Sequence, residues 1–260
     1  MGKGQLSVFI VIGLVIIILA IVLTSKKNIE TYEDRNIVHY EAQINEYVQN
    51  CIYEEAKHYI YLIGIQGGYL REDVEYGKFG EVKTAYWYNE GKDFSPSLED
   101  LSKDISAKLN DTLMKCVDFS SLDSINSLDI FKPESQKIGA SIYINERDLD
   151  VIYHYPARIL FQNQEKELGP FKVNLQIPLG SDIILAKKLL DEAVNNKEGY
   201  YDLTSRCKDF TAGNPMVNIH QGNEVILLND FTTFYDKQFS ETYQLRFMVS
   251  GLKVSGRCAV

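Results

Sequence analysis

The sequence predicts an α+β protein. An N-terminal transmembrane helix continues toward a long amphipathic helix; a second helix follows, then an antiparallel β-sheet with one covering helix. Three observations carry this. Residues Leu6–Leu23 (LSVFIVIGLVIIILAIVL) are charge-free and contain no proline. No glycine or proline occurs between Gly13 and Gly64, so the two strongest helix breakers are missing there. From Ile138 onward the apolar period switches from three-to-four residues to two, the period of a half-buried strand.

The first element is the apolar run. Its 18 residues make roughly 27 Å of helix, close to the ~30 Å hydrocarbon core of a bilayer. Thr24, Ser25, Lys26 and Lys27 follow it rather than a small-residue cleavage site, which disfavours a removed secretory signal peptide. A plain signal anchor and a processed anchor remain. In front of the run stand Gly2, Lys3, Gly4 and Gln5. This arrangement resembles the class III signal peptide of archaeal type IV pilin-like proteins. The resemblance covers the first twenty-five residues or so. It implies a cut between Gly4 and Gln5, a leader of residues 1–4, a retained transmembrane helix over 5–25, and identical or related pilin-like subunits as partners. The sequence departs from the family at Phe9, the mature position where many pilins carry a glutamate that pairs with a neighbouring N-terminus. No acid lies anywhere from Leu6 to Val11.

Residues 26–117 form the helical stalk and the helical part of the body. Ile37, Tyr40, Ile44, Val48, Cys51, Ile52, Tyr59 and Leu62 recur at helical steps, and Gln66-Gly67-Gly68 ends the helix. Residues 69–96 read as strand and loop; VKTAYWY (82–88) is β-prone, with Trp87 on one face and Tyr86 and Tyr88 on the other. An aromatic strand can bind sugars, but packing in a core is the reading preferred here. Ser95-Pro96 opens a second helix whose apolar stripe is Leu98, Leu101, Ile105, Leu109, Leu113 and Cys116. Residues 118–137 are polar and turn-rich, a connector.

The segment 138–260 is the β part. IGASIYI and LDVIYHY flank a turn at 145–148, Asn163–Lys166 turn the chain again, and Phe171, Val173, Leu175 and Ile177 alternate. A three-stranded antiparallel meander is the expected product. A helix over 181–195, capped by Ser181-Asp182 and bearing Ile184, Leu185, Leu189, Ala193 and Val194, covers its dry face. NEVILLND and TYQLRFMVS add two strands.

The net charge of −9 argues against nucleic acid, whose phosphates demand basic patches. Cys51, Cys116, Cys207 and Cys258 form no CxxC pair, and their even number suggests two disulfides in an oxidising exterior. Three pairings are open; Cys51–Cys116 and Cys207–Cys258 are expected, because the first two lie on apolar stripes of sequential helices and the others bracket the C-terminal strands. Asn110-Asp111-Thr112 is a glycosylation sequon. Turn acids Asp148 and Asp150, with Asp129 or Glu146, could meet at a cation, and His39, His58, His154 and His220 are dispersed. With no nucleophile–base motif, metal set or nucleotide loop, neither an enzyme nor a cofactor is expected, and no metal. The expectation is a single-pass membrane protein in the lipid bilayer with its body outside the cell, structural or adhesive, a filament subunit in its pilin-like form. The alternative is an anchored receptor or ligand-binding ectodomain.

Overall fold

The computed structural model describes residues 37–119, 128–131, 138–161, 163–196, 201–202, 213–220, 223–230, 235–236, 241–252 and 254–255. Helix α1 spans 37–65. It is followed by strands β1 (Tyr76–Phe79), β2 (Val82–Asn89) and β3 (Lys92–Asp93), then helix α2 (Leu98–Cys116). Next come β4 (Leu128–Phe131), β5 (Gly139–Ile144), β6 (Leu149–His154), β7 (Arg158–Phe161), β8 (Gln164–Glu167) and β9 (Phe171–Leu175), then helix α3 (Leu179–Asn195). The remaining strands are β10 (Tyr201–Asp202), β11 (Gly213–His220), β12 (Asn223–Asp230), β13 (Tyr235–Asp236), β14 (Glu241–Thr242), β15 (Gln244–Val249) and β16 (Val254–Ser255). The class is α+β, as the switch of period predicts.

The chain divides into two compact units. The smaller takes α1 up to Tyr47, Phe119–Lys132 and Ala157–Leu168. Its sheet has the antiparallel order β4-β7-β8. Ile159 and Phe161 are buried, and the Phe161 ring lies 5.0 Å from that of Tyr40 on α1. Arg158 pairs with Glu165 at 2.7 Å and sits over the Phe131 ring at 5.6 Å. Lys166 on β8 pairs with Glu41 on α1. Two sequence expectations change here. Residues 128–131 of the connector form a strand, and 164–167, read as part of a turn, form β8. The sequence QEKE carries no apolar residue to announce a strand; Asn163, at φ 72°, turns the chain into it instead.

The larger unit holds the rest of α1, the other two helices and the remaining strands. Its meander has the order β5-β6-β9, antiparallel throughout. Leu149, Val151 and Tyr153 of β6 and Phe171 and Leu175 of β9 are buried, so the expected dry face is present. RILF and QEKE leave this sheet between β6 and β9 and belong to the smaller unit. Helix α2 packs along β5. Helix α3 meets the meander at its β5–β6 turn, where a side chain on Gly180 would collide with the Asn145 carbonyl.

Helix α3 begins at Leu179, two residues before the expected start, and no side chain caps it; the Ser181 hydroxyl donates to the Pro178 carbonyl instead. Its phase also differs from the expected one. Ile183, Ala186, Leu189, Leu190 and Ala193 are buried, whereas Ile184 and Val194 are 51% and 40% exposed. Helix α2 is capped by Ser97 rather than Ser95. Ser97 and Asp100 exchange hydrogen bonds in a capping box, which satisfies two amides that a Ser95 cap would leave open.

The second sheet of this unit runs β1-β2-β15-β12-β11, with β3 on β2. It is mixed rather than purely antiparallel, because β2 pairs parallel to β15. Leu245, Phe247, Met248 and Val249 of β15 are all buried, as a strand central in its sheet requires. Strand β11, unannounced by any alternation in GNPMVNIH, is an edge strand, the place in a sheet where a proline such as Pro215 is tolerated.

Candidate functional site

Helix α1 ends in a Schellman turn. Gly67 adopts φ 78°, and the Gly68 amide donates to the Ile63 carbonyl at 2.8 Å. The three consecutive carbonyls from Ile65 to Gly67 face β2. Ile65 accepts the Thr84 hydroxyl at 3.1 Å, Gln66 the Ala85 amide at 2.9 Å, and Gly67 the Trp87 indole N–H at 2.8 Å. Trp87 is fully buried and stacks on Phe247, ring centroids 4.2 Å apart. Its indole is therefore core, while Tyr86 and Tyr88 stay half-buried. Close approach of α1 also explains Gly64, where a Cβ would strike the Gln244 carbonyl and the Tyr243 ring.

The structure brings Cys51 on α1 and Cys116 at the end of α2 to disulfide distance, their Cα atoms 6.0 Å apart. That lies within the range of about 4.4–6.8 Å that a bridge needs. Cys207 and Cys258 lie outside the described residues, as do Gly4, Gln5 and the run Leu6–Leu23. Among the described residues no helix is long and apolar enough to cross a membrane.

Asn110 sits on α2, half-buried, and its Oδ1 accepts the Ala140 amide at 2.6 Å. Ala140 belongs to β5, an edge of the meander, so the sequon asparagine also closes an edge N–H that no strand among the described residues pairs. Asn110→Ala should destabilise the larger unit by about 1–3 kcal/mol, the cost of an orphaned half-buried donor. Asn110→Asp, which keeps the acceptor, should cost less. Urea titration followed by tryptophan fluorescence reads both; equal losses would mean the hydrogen bond contributes nothing.

Asp148 and Asp150 are drawn together by an amide rather than by an ion. Asn174 Nδ2 donates to both, at 3.0 and 2.9 Å; Asn145 donates to Asp148, and Lys172 pairs with Asp150 at 3.2 Å. The Asn174 bond, aided by Lys172, holds the Asp150 carboxyl below its usual range. Asp129 lies on β4, and the Glu146 carbonyl accepts the Ser181 amide. His39 and His58 pack beside their neighbours Tyr40 and Tyr59, and His154 ends β6 exposed. Only the backbone of His220 is described, in β11. Among the described residues no group of three His, Cys, Asp or Glu side chains could hold a metal.

One cluster has no signal in the sequence. The loop after α1 carries Tyr69, Arg71, Glu72, Asp73 and Glu75, and it lies against Asp100 and Asp104 of α2. The Tyr69 hydroxyl donates to the Phe94 carbonyl; burial pushes its pKa up to about 12. Arg71 sits over the Tyr69 ring at 5.1 Å and reaches Asp73 at 3.4 Å. The Leu70 amide donates to Asp104 at 3.4 Å. Burial, with Asp100 and Asp73 nearby, raises the Asp104 carboxyl above the usual range, against the pull of the Leu70 amide and Arg71. The Ser97 hydroxyl, with the Ser97 amide and nearby Arg71 and Lys103, holds Asp100 low. Sequence spacing puts Asp100 and Asp104 on one helix face, but only the folded loop brings Asp73 and Arg71 to them.

No family model, curated protein or solved structure matches the chain.

Proposed function

We propose that this chain is a single-pass membrane protein of the cell surface, structural or adhesive, with residues 26–260 outside. The observation that carries the reading is the charge-free run Leu6–Leu23. Eighteen such residues are the length a bilayer accepts and a water-exposed segment does not. The Cys51–Cys116 pair at disulfide distance supports an oxidising exterior. The aromatic core supports a folded body: Trp87, Tyr61, Tyr153 and Phe247 are each almost fully buried.

The finer form of the proposal follows from the pilin-like leader. Processing between Gly4 and Gln5 would leave the apolar run at the mature N-terminus, beside identical or related subunits. Two measurements test the two levels separately. A membrane-impermeant protease on intact cells should remove the body; protection until lysis would refute the exterior location. Mass spectrometry of the cell-derived protein should then find Gln5 at the N-terminus, and an intact Met1 or Gly2 would reduce the reading to a plain anchor.

A further inference from the structure

We infer that the sequon Asn110-Asp111-Thr112 is closed by the fold: Asn110 accepts an N-linked glycan only while α2 is unwound, and the native chain leaves it bare. In the transfer, Asn110 Nδ2 loses a proton and bonds to the anomeric carbon of the donor sugar. The bond from that carbon to a lipid-linked pyrophosphate breaks, and the pyrophosphate leaves. A sequon is read through its asparagine amide and its threonine hydroxyl together, which is why usable sequons belong to surface loops. Both side chains must therefore reach one enzyme surface at once.

Helix α2 denies this in three ways. Residues 110–112 lie inside the helix. At 3.6 residues per turn, positions two apart are turned about 200° round the axis, so Asn110 and Thr112 do not face one partner. Their polar groups are also in use. Asn110 Oδ1 accepts the Ala140 amide at 2.6 Å. The Thr112 hydroxyl turns back on its own helix, to the Lys108 carbonyl at 3.3 Å and the Leu109 carbonyl at 3.5 Å. Finally, the segment is pinned. Leu109 and Leu113, on either side of the sequon, are fully buried, and α2 packs along β5. Cys116, at the end of the helix, lies at disulfide distance from Cys51 on α1. Presenting the sequon in an extended form must break this packing and leave the Ala140 amide without its acceptor.

The test compares two sequons in one molecule. The sequence holds no other Asn-x-Ser/Thr. Arg147→Thr completes a second one beginning at Asn145, in the β5–β6 turn, where residues 145–147 are exposed and outside any helix. The folded full-length variant is incubated with an oligosaccharyltransferase and a lipid-linked oligosaccharide, and peptide mapping by mass spectrometry reads each asparagine. A peptide of residues 106–116 is treated alongside; isolated helices shorter than ~12–15 residues are marginal in water, so its sequon is open. The peptide and Asn145 should be modified. Asn110 in the folded chain should react at least about a hundredfold more slowly than in the peptide, because transfer waits for a core helix to open. Comparable rates at Asn110 and Asn145 would overturn the inference. So would an unmodified peptide, since the local sequence and not the fold would then close the site. A silent Asn145 beside a modified peptide would overturn it too, since the folded body as a whole, not α2, would then exclude the enzyme. Should Arg147→Thr fail to fold, the ratio between the peptide and the unaltered chain decides. The enzyme is supplied in the assay, so the outcome does not depend on which side of a membrane the body faces.

Discussion

Trp87→Ala should lower the stability of the larger unit by about 3–5 kcal/mol, the usual cost of deleting a buried large aromatic. Two losses combine. The indole stacks on Phe247 in a fully buried site, and its N–H is the partner of the Gly67 carbonyl at the end of α1. A helix C-terminus has orphan carbonyls by construction, and here β2 takes up three consecutive ones. Trp87→Phe separates the terms: it keeps an aromatic ring against Phe247 and orphans only the carbonyl, for about 1–3 kcal/mol. Chemical denaturation followed by circular dichroism distinguishes the variants. Equal stability of Trp87→Phe and the unaltered chain would mean that the indole N–H contributes nothing to holding α1 on the sheet.

Legibility of the fold tracks how local each determinant is. The stripes Ile44–Val48–Cys51–Ile52 and Leu101–Ile105–Leu109–Leu113 are buried as their spacing predicts, because one helix face is set by consecutive turns. The alternation Leu149, Val151, Tyr153, Tyr155 gives the dry side of the meander for the same reason. Helix α3 is different. It has apolar residues on more than one face, so Ile184 and Val194 could be kept out of the core only by knowing what α3 meets. Ser95-Pro96 is a plausible helix start, yet Ser97 has an acid three residues on and Ser95 has none at that spacing to a carboxylate. The parallel join of β2 to β15 links residues far apart in sequence, and no residue pattern within either strand specifies its partner. Asp100 and Asp104 share a helix face by spacing alone, but Asp73 and Arg71 reach them only once the loop is placed on α2. The N-terminal segment is the reverse case, since its argument rests on composition and lies outside the described residues.

The Cys51–Cys116 bond should stabilise the larger unit by about 4 kcal/mol in the chain-entropy model, given its sequence separation of 65. That is comparable to the ~5–15 kcal/mol net stability of a typical domain. Cys51 is buried and both residues project from helices already packed in the same unit, so the bridge demands no rearrangement. Cys116→Ala should therefore lower the melting temperature by roughly 10 °C under oxidising conditions, taking ~2–4 °C per kcal/mol for a unit of this size. In reductant the unaltered chain should fall most of the way to the variant, leaving only the small difference between a thiol and a methyl group. Non-reducing peptide mapping checks the pairing itself: Cys51 should be recovered joined to Cys116, which leaves Cys207 with Cys258 as the remaining pair. Recovery of Cys51 joined to Cys207 or Cys258 would contradict the 6.0 Å approach of the two helices. Four free thiols on protein taken from the cell surface would remove both the staple and the strongest support for an exterior body.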